Sequence, residues 1–136
     1  MTAVLFVLGY VVMIFINLII AKENSDQVNY NKRRNIPTQI NHVLWGGIYS
    51  VPCIISWFCS GHSYWYVLAL AAQHLAYFPI FYNYYQGLPM FNLSKTSASI
   101  IDRFQVSLGF KSSEIVNIGS LLVSIAALIL AIHKSI

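Results

Sequence analysis

Four long apolar runs separated by polar connectors set the pattern of the chain. Residues 2–21 read TAVLFVLGYVVMIFINLIIA, with no charge and a single amide, Asn17. About 20 such residues cross a hydrocarbon core of about 30 Å as a helix. Residues 38–59, 64–85 and 113–133 repeat that length and character. The pattern predicts an all-α fold: an integral membrane four-helix bundle, one transmembrane domain over residues 1–136. The first run lacks a basic leader and is too long for a signal peptide's apolar core. No small-residue cleavage site follows it, so it reads as a retained span.

The connectors carry the remaining expectations. Residues 22–37 form a polar connector with a basic knot, Lys32-Arg33-Arg34, before Pro37 and Thr38 open the second span. The turn 60–63, SGHS, is short enough to force spans two and three into an antiparallel hairpin. Residues 86–112 form the second long connector, where Gly87-Leu88-Pro89 stops the third helix. Within it, Ile100, Ile101, Phe104 and Leu108 recur at helical spacing among Asp102, Arg103 and Gln105. That pattern predicts a short amphipathic helix, lying in the headgroup plane or tucked under the bundle. Pro52 and Pro79 predict kinks within spans two and three. Gly46 and Gly47 predict a close approach of another backbone. Ser120, Ser124, Ala127 and Ala131 form a small-residue packing stripe on the last span, used within the bundle or between subunits.

Composition sharpens the location. Hydrophobic residues make up 57% of the chain and charged residues 9%, where a soluble domain carries roughly a quarter charged. Such a chain cannot cover its surface with polar groups, and a bilayer removes the need. Tyr64, Trp65 and Tyr66 at one end of span three, and Tyr82, Tyr84 and Tyr85 at the other, read as interfacial belts. Lys22, Lys32, Arg33, Arg34, Lys95, Arg103 and Lys111 fall in the two long connectors, against Lys134 alone on the other side. This bias puts both connectors in the cytoplasm and both termini outside. The basic residues then meet anionic lipid headgroups, and their scatter excludes a nucleic-acid face. The Asn92-Leu93-Ser94 triplet falls on the cytoplasmic side and reads as chance. Cys53 and Cys59, about 240° apart on a helix, read as small hydrophobes, and no zinc spacing or cofactor motif is present.

Candidate chemistry gathers at the cytoplasmic side. His42 opens span two and Asn83 closes span three there, and Thr96, Ser97, Asp102 and Arg103 follow in the connector. Together these residues predict one inward-facing polar pocket. His74, beside Gln73, lies deeper, about 15 Å from either boundary. An ionisable group at that depth is a site hypothesis by default. Its structural alternative is a neutral imidazole bonded to Gln73, to Asn17, or to a carbonyl freed by Pro52 or Pro79. A catalytic set of Ser94 or Ser97 with His42 and Asp102 is chemically conceivable, but no nucleophile elbow or oxyanion glycine pair accompanies it. His42, His74 and Asp102 have no local spacing that recommends a metal.

NHVLWGGIY and FYNYYQGLPMFNLSKTSASIIDR resemble a family of short four-span membrane proteins of bacteria and their phages. The positions that carry the resemblance are His42, Asn83, Gly87, Leu88, Pro89, Thr96, Ser97, Asp102 and Arg103. Gln86 stands where the family has a basic residue, and His74 where it has an arginine whose partner position is held here by Pro79. The resemblance implies a bacterial inner membrane and the same site residues, and it brings no activity. The expected role is a structural, accessory or partner-binding subunit, as a homo-oligomer or in a larger membrane complex. The alternatives are a small lipid-directed or hydrolytic enzyme using His42 and Asp102, and a holin-type pore former.

Overall fold

The computed structural model describes residues 3–35, 42–93 and 100–134, with the side chains of residues 42–46 and 100–101 outside that set. Its described residues form five helices and no strand: α1 (Ala3–Arg33), α2 (His42–Cys59), α3 (Tyr64–Tyr85), α4 (Ile100–Ser107) and α5 (Glu114–His133). The chain is therefore all-α. Two of the helices, α1 and α5, are long and apolar enough to cross a membrane.

Hydrogen bonds between helices fix the topology. The Tyr66 hydroxyl donates to the Phe6 carbonyl, and the Gln86 amide donates to Ser25. Low numbers in α1 thus meet low numbers in α3, and high meet high, so the two helices run parallel. On α5, Ser124 meets Ala69 of α3, and the Lys134 ammonium lies over the Trp65 ring at 5.4 Å. Helix α5 therefore runs antiparallel to α3. Tyr49 of α2 reaches Leu70, and Trp57 packs on Tyr64, so α2 is antiparallel to α3 as well. Helix α3 is the hub, with α1 and α5 along its length and α2 against its first half. This arrangement places Lys22, Lys32, Arg33, Arg103 and Lys111 at one end of the bundle and Lys134 at the other.

Helix α1 differs from the expected span 2–21. It continues unbroken to Arg33, 31 residues in all, or about 46 Å at 1.5 Å per residue. No glycine or proline interrupts residues 22–33. Lys22 and Asp26 pair at 2.8 Å one turn apart, and that contact raises the Lys22 pKa above its ordinary value. Asn24, Ser25 and Val28 stay buried, so the extension keeps a packed face beyond the apolar run.

Helix α3 starts and stops on local chemistry. The Ser63 hydroxyl caps it by accepting from the Tyr66 amide. At its end, Gly87 takes φ of +65°, with Leu88 N–H bonded to the Asn83 carbonyl and Gly87 N–H to that of Tyr84. That is a Schellman closure, and a side chain at Gly87 would strain it.

Burial is inverted relative to a water-soluble bundle. Asn17, Gln73 and Ser124 are each 0% exposed, while Phe15, Ile54 and Leu122 are 60%, 55% and 64% exposed. The outward faces of α1, α2 and α5 are lined with Val, Ile, Leu and Phe. Water would penalise that surface heavily, and lipid does not. Two expectations are corrected. Gly47 makes no close approach, because a Cβ built there would meet nothing within 4 Å among the described residues. Helix α4 is not tucked under the bundle by its apolar side: Phe104 and Leu108 are exposed and Gln105 is buried.

Candidate functional site

The interior is crossed by a polar seam about half-way along the spans. Tyr10 is buried on α1, and its hydroxyl lies 2.7 Å from the Ser124 hydroxyl. Ser124 donates its only hydroxyl proton to the Ala69 carbonyl at 2.6 Å, so Tyr10 must donate to Ser124. This relay ties α1, α5 and α3 together at one level. One turn along, the Gln73 side-chain amide donates to the Tyr10 carbonyl at 2.8 Å, a second α1–α3 link. Small residues allow these approaches. Ala69, Ala72 and Ala76 on α3, and Ser124, Ala127 and Ala131 on α5, are all buried. Ser120 of the stripe is half-buried.

His74 belongs to the next layer. Its Nδ1 lies 2.6 Å from Asn17 Oδ1. Asn17 Nδ2 donates to the Met13 carbonyl, which leaves Oδ1 as the accepting atom. His74 therefore carries its proton on Nδ1 and keeps Nε2 as the ring's acceptor. Of the partners available in the sequence, the structure selects Asn17. The ring lies between Tyr49, at 4.2 Å between centroids, and Phe78, at 5.1 Å. Tyr49 is held in turn by donating to the Leu70 carbonyl at 2.7 Å. Buried amide and imidazole thus satisfy each other, as apolar surroundings demand.

Near the amino-terminal end of α1, Tyr66 inserts against Phe6 with ring centroids 4.8 Å apart and planes at 89°, and donates to the Phe6 carbonyl. Gly9 makes room for this. A Cβ at Gly9 would run into the Tyr66 hydroxyl.

At the basic end, Asn83 is an anchor. Its Nδ2 donates to the carbonyls of Met90 and Asn92, at 3.0 and 3.1 Å, and folds residues 88–92 back over the end of α3. The Ser113 amide donates to the Phe91 carbonyl, which links that loop to α5. Gln86, where the resembling family has a basic residue, donates to both the carbonyl and the hydroxyl of Ser25. Both amides are occupied by the chain itself. Asp102 lies close enough to Tyr82 for its charge to act on the phenol. Arg103 is exposed. Thr96, Ser97, Lys95 and the side chains of His42 and Gly46 lie outside the described residues. Of the residues expected there, Asn83 holds the 88–92 loop and Arg103 is exposed, while His74, expected deeper, lies in the mid-bundle layer.

Among the described residues, no group of three or more His, Cys, Asp or Glu is placed to hold a metal ion. The buried oxygens Asn24 Oδ1, Gln73 Oε1 and Gln105 Oε1 accept no hydrogen bond among the described residues. Tyr66, expected in the interfacial belt, is buried against Phe6 instead, and no sequence motif marks Tyr10, Tyr49 or Gly9. The available signal was position: Tyr10 and Tyr49 stand inside apolar runs, away from the interfacial belts where tyrosine is otherwise expected. No family model, no curated protein and no solved structure matches the chain.

Proposed function

We propose that the chain is a four-span protein of the bacterial inner membrane, with both termini outside, acting as a structural or partner-binding subunit. One observation carries this reading: interior polar groups bond to one another while the outer faces are apolar. A bundle built this way is a closed, preassembled unit. The donors of Tyr10, Asn17, Gln73, His74 and Ser124 are bonded within the chain, so its contacts with other molecules fall to its apolar flanks and its basic end. Helix α3 is 22 residues long, about 33 Å, and so has the length to span beside α1 and α5.

The enzyme alternative needs His42, Ser97 and Asp102 at one point, and the variants named below test it. A pore former needs a polar face that lines water. Tyr10, Asn17, Gln73 and Ser124 are instead spent on bonds between and within the helices.

Topology is tested in intact cells with a membrane-impermeant maleimide, in a background with Cys53→Ser and Cys59→Ser. His62→Cys labels from outside, whereas Gln27→Cys and Ser107→Cys label only after permeabilisation. Labelling of Gln27→Cys in intact cells overturns the orientation. Role is tested by purification in mild detergent with native mass spectrometry, alongside dye leakage from expressing cells. A defined homo-oligomer or fixed partner without leakage is the expected result. Leakage on expression favours the pore former instead. A lone monomer whose His42→Ala and Asp102→Ala variants lose a measurable hydrolysis favours the enzyme.

A further inference from the structure

On α4, Gln105 is turned inward, at 4% exposure, while Phe104 and, just past the helix end, Leu108 are 62% and 58% exposed. A helix standing in water would be turned the other way. Its depth follows from the chain: α4 ends six residues before Ser113, whose amide bonds the Phe91 carbonyl on the loop that Asn83 folds over the end of α3. Tyr82, Tyr84 and Tyr85 form the aromatic belt at that end, so α4 sits at the level of the interface. Leu88 and Met90, on the loop pinned by Asn83, are exposed at the same end. Arg103 and Lys111 flank the apolar pair and are exposed.

We infer that α4, with Phe104 and Leu108 as its inserted side chains and Arg103 and Lys111 as its charged flanks, is a docking surface for anionic phospholipid. The inference rests on the four-span reading, which supplies the leaflet. Three features select lipid over protein as the occupant. The surface lies at the end of the bundle where α3 carries its aromatic belt. Its cations match phosphate headgroups, each basic residue near an anionic leaflet strengthening binding about five-fold. The exposed apolar area of Phe104, Leu108, Leu88 and Met90 is on the order of 400 Å², well short of the ~800 Å² per partner of a stable protein interface. An anionic headgroup seated there meets Arg103 and Lys111 while its acyl chains lie against Phe104 and Leu108.

The test uses the full chain in lipid nanodiscs, with Cys53→Ser and Cys59→Ser as background and a spin label at Phe104→Cys or Leu108→Cys. Discs are made of phosphatidylcholine alone or with phosphatidylglycerol added. Leu122→Cys reports a lipid-facing position and Gln27→Cys an aqueous one. In anionic discs, labels at 104 and 108 collide several-fold more often with dissolved oxygen than with an aqueous nickel chelate, between the two controls. Arg103→Gln and Lys111→Gln each reduce the seated fraction about five-fold in anionic discs and leave neutral discs unchanged. Labels at 104 and 108 that match Gln27→Cys overturn the inference while leaving the four-span reading intact. Labels immobilised and shielded from both reagents overturn it in favour of a protein partner or second copy. If Leu122→Cys also reads as water, the four-span reading itself fails and takes the docking surface with it.

Discussion

Replacing Ser124 with alanine removes one oxygen and almost no volume, so it isolates the hydrogen bonds of the three-helix relay. Ser124 accepts from Tyr10 at 2.7 Å and donates to the Ala69 carbonyl at 2.6 Å. Ala69 also lies one helical turn before Gln73, so its carbonyl keeps a backbone partner. Tyr10 is buried and has no second acceptor among the described residues, so its hydroxyl proton is left unpaired. Interhelical hydrogen bonds in membranes average about 0.6 kcal/mol and reach about 1.7. Losing two therefore costs about 1–3 kcal/mol in Ser124→Ala. Tyr10→Phe loses one bond and leaves Ser124 donating to Ala69, at about 0.6–1.7 kcal/mol. In the double variant the phenol is already gone, so its stability stays close to that of Ser124→Ala alone. The singles are then non-additive by at least about 0.6 kcal/mol, beyond the ~0.3–0.5 kcal/mol scatter of independent sites. Equilibrium unfolding in mixed micelles on titration with dodecyl sulfate, followed by tryptophan fluorescence, measures all four proteins. Strictly additive costs, or a Ser124→Ala cost below about 0.3 kcal/mol, would show that the relay does not exist and refute the sealed-interior argument.

Three further outcomes follow from the same contacts. Asn17→Leu removes the acceptor of the His74 proton, lowers stability by about 1–2 kcal/mol, and abolishes the Nδ1-protonated tautomer that nitrogen-15 spectra of the histidine ring record in the parent. An unchanged ring spectrum would contradict the Asn17–His74 bond. Gly9→Ala drives a methyl into the Tyr66 hydroxyl and costs about 1–3 kcal/mol. Adding Tyr66→Phe restores much of that loss, and a second change that deepens it instead would place Tyr66 elsewhere. Asn83→Ala frees residues 88–92 by removing two hydrogen bonds, so amide exchange rises across that loop and at Ser113, whose amide is tied to Phe91. Exchange confined to residue 83 would show that the loop is held by other means.

Hydrophobic runs of span length by themselves determine an all-α membrane protein, because in lipid only a helix satisfies its own backbone within one segment. Local punctuation was equally legible. The Ser63 cap and the Gly87 stop are set by single residues whose effect is felt within one turn. The small stripe on the last span could be read as a packing face, because helical spacing alone brings Ser124, Ala127 and Ala131 to one side. What the linear pattern did not contain was the identity of partners. Asn17 and His74 are 57 positions apart, and Tyr10 and Ser124 are 114 apart. Only the parallel alignment of α1 with α3, and the antiparallel one of α5, brings those pairs to one depth. Hydropathy ends the first span at Ala21 because it marks where lipid stops, whereas the helix continues to Arg33 as long as its backbone bonds and a packed face persist. The rotation of α4 is likewise a tertiary decision. Periodicity shows that a helix has two faces, and only the burial of Gln105 determines which one looks outward.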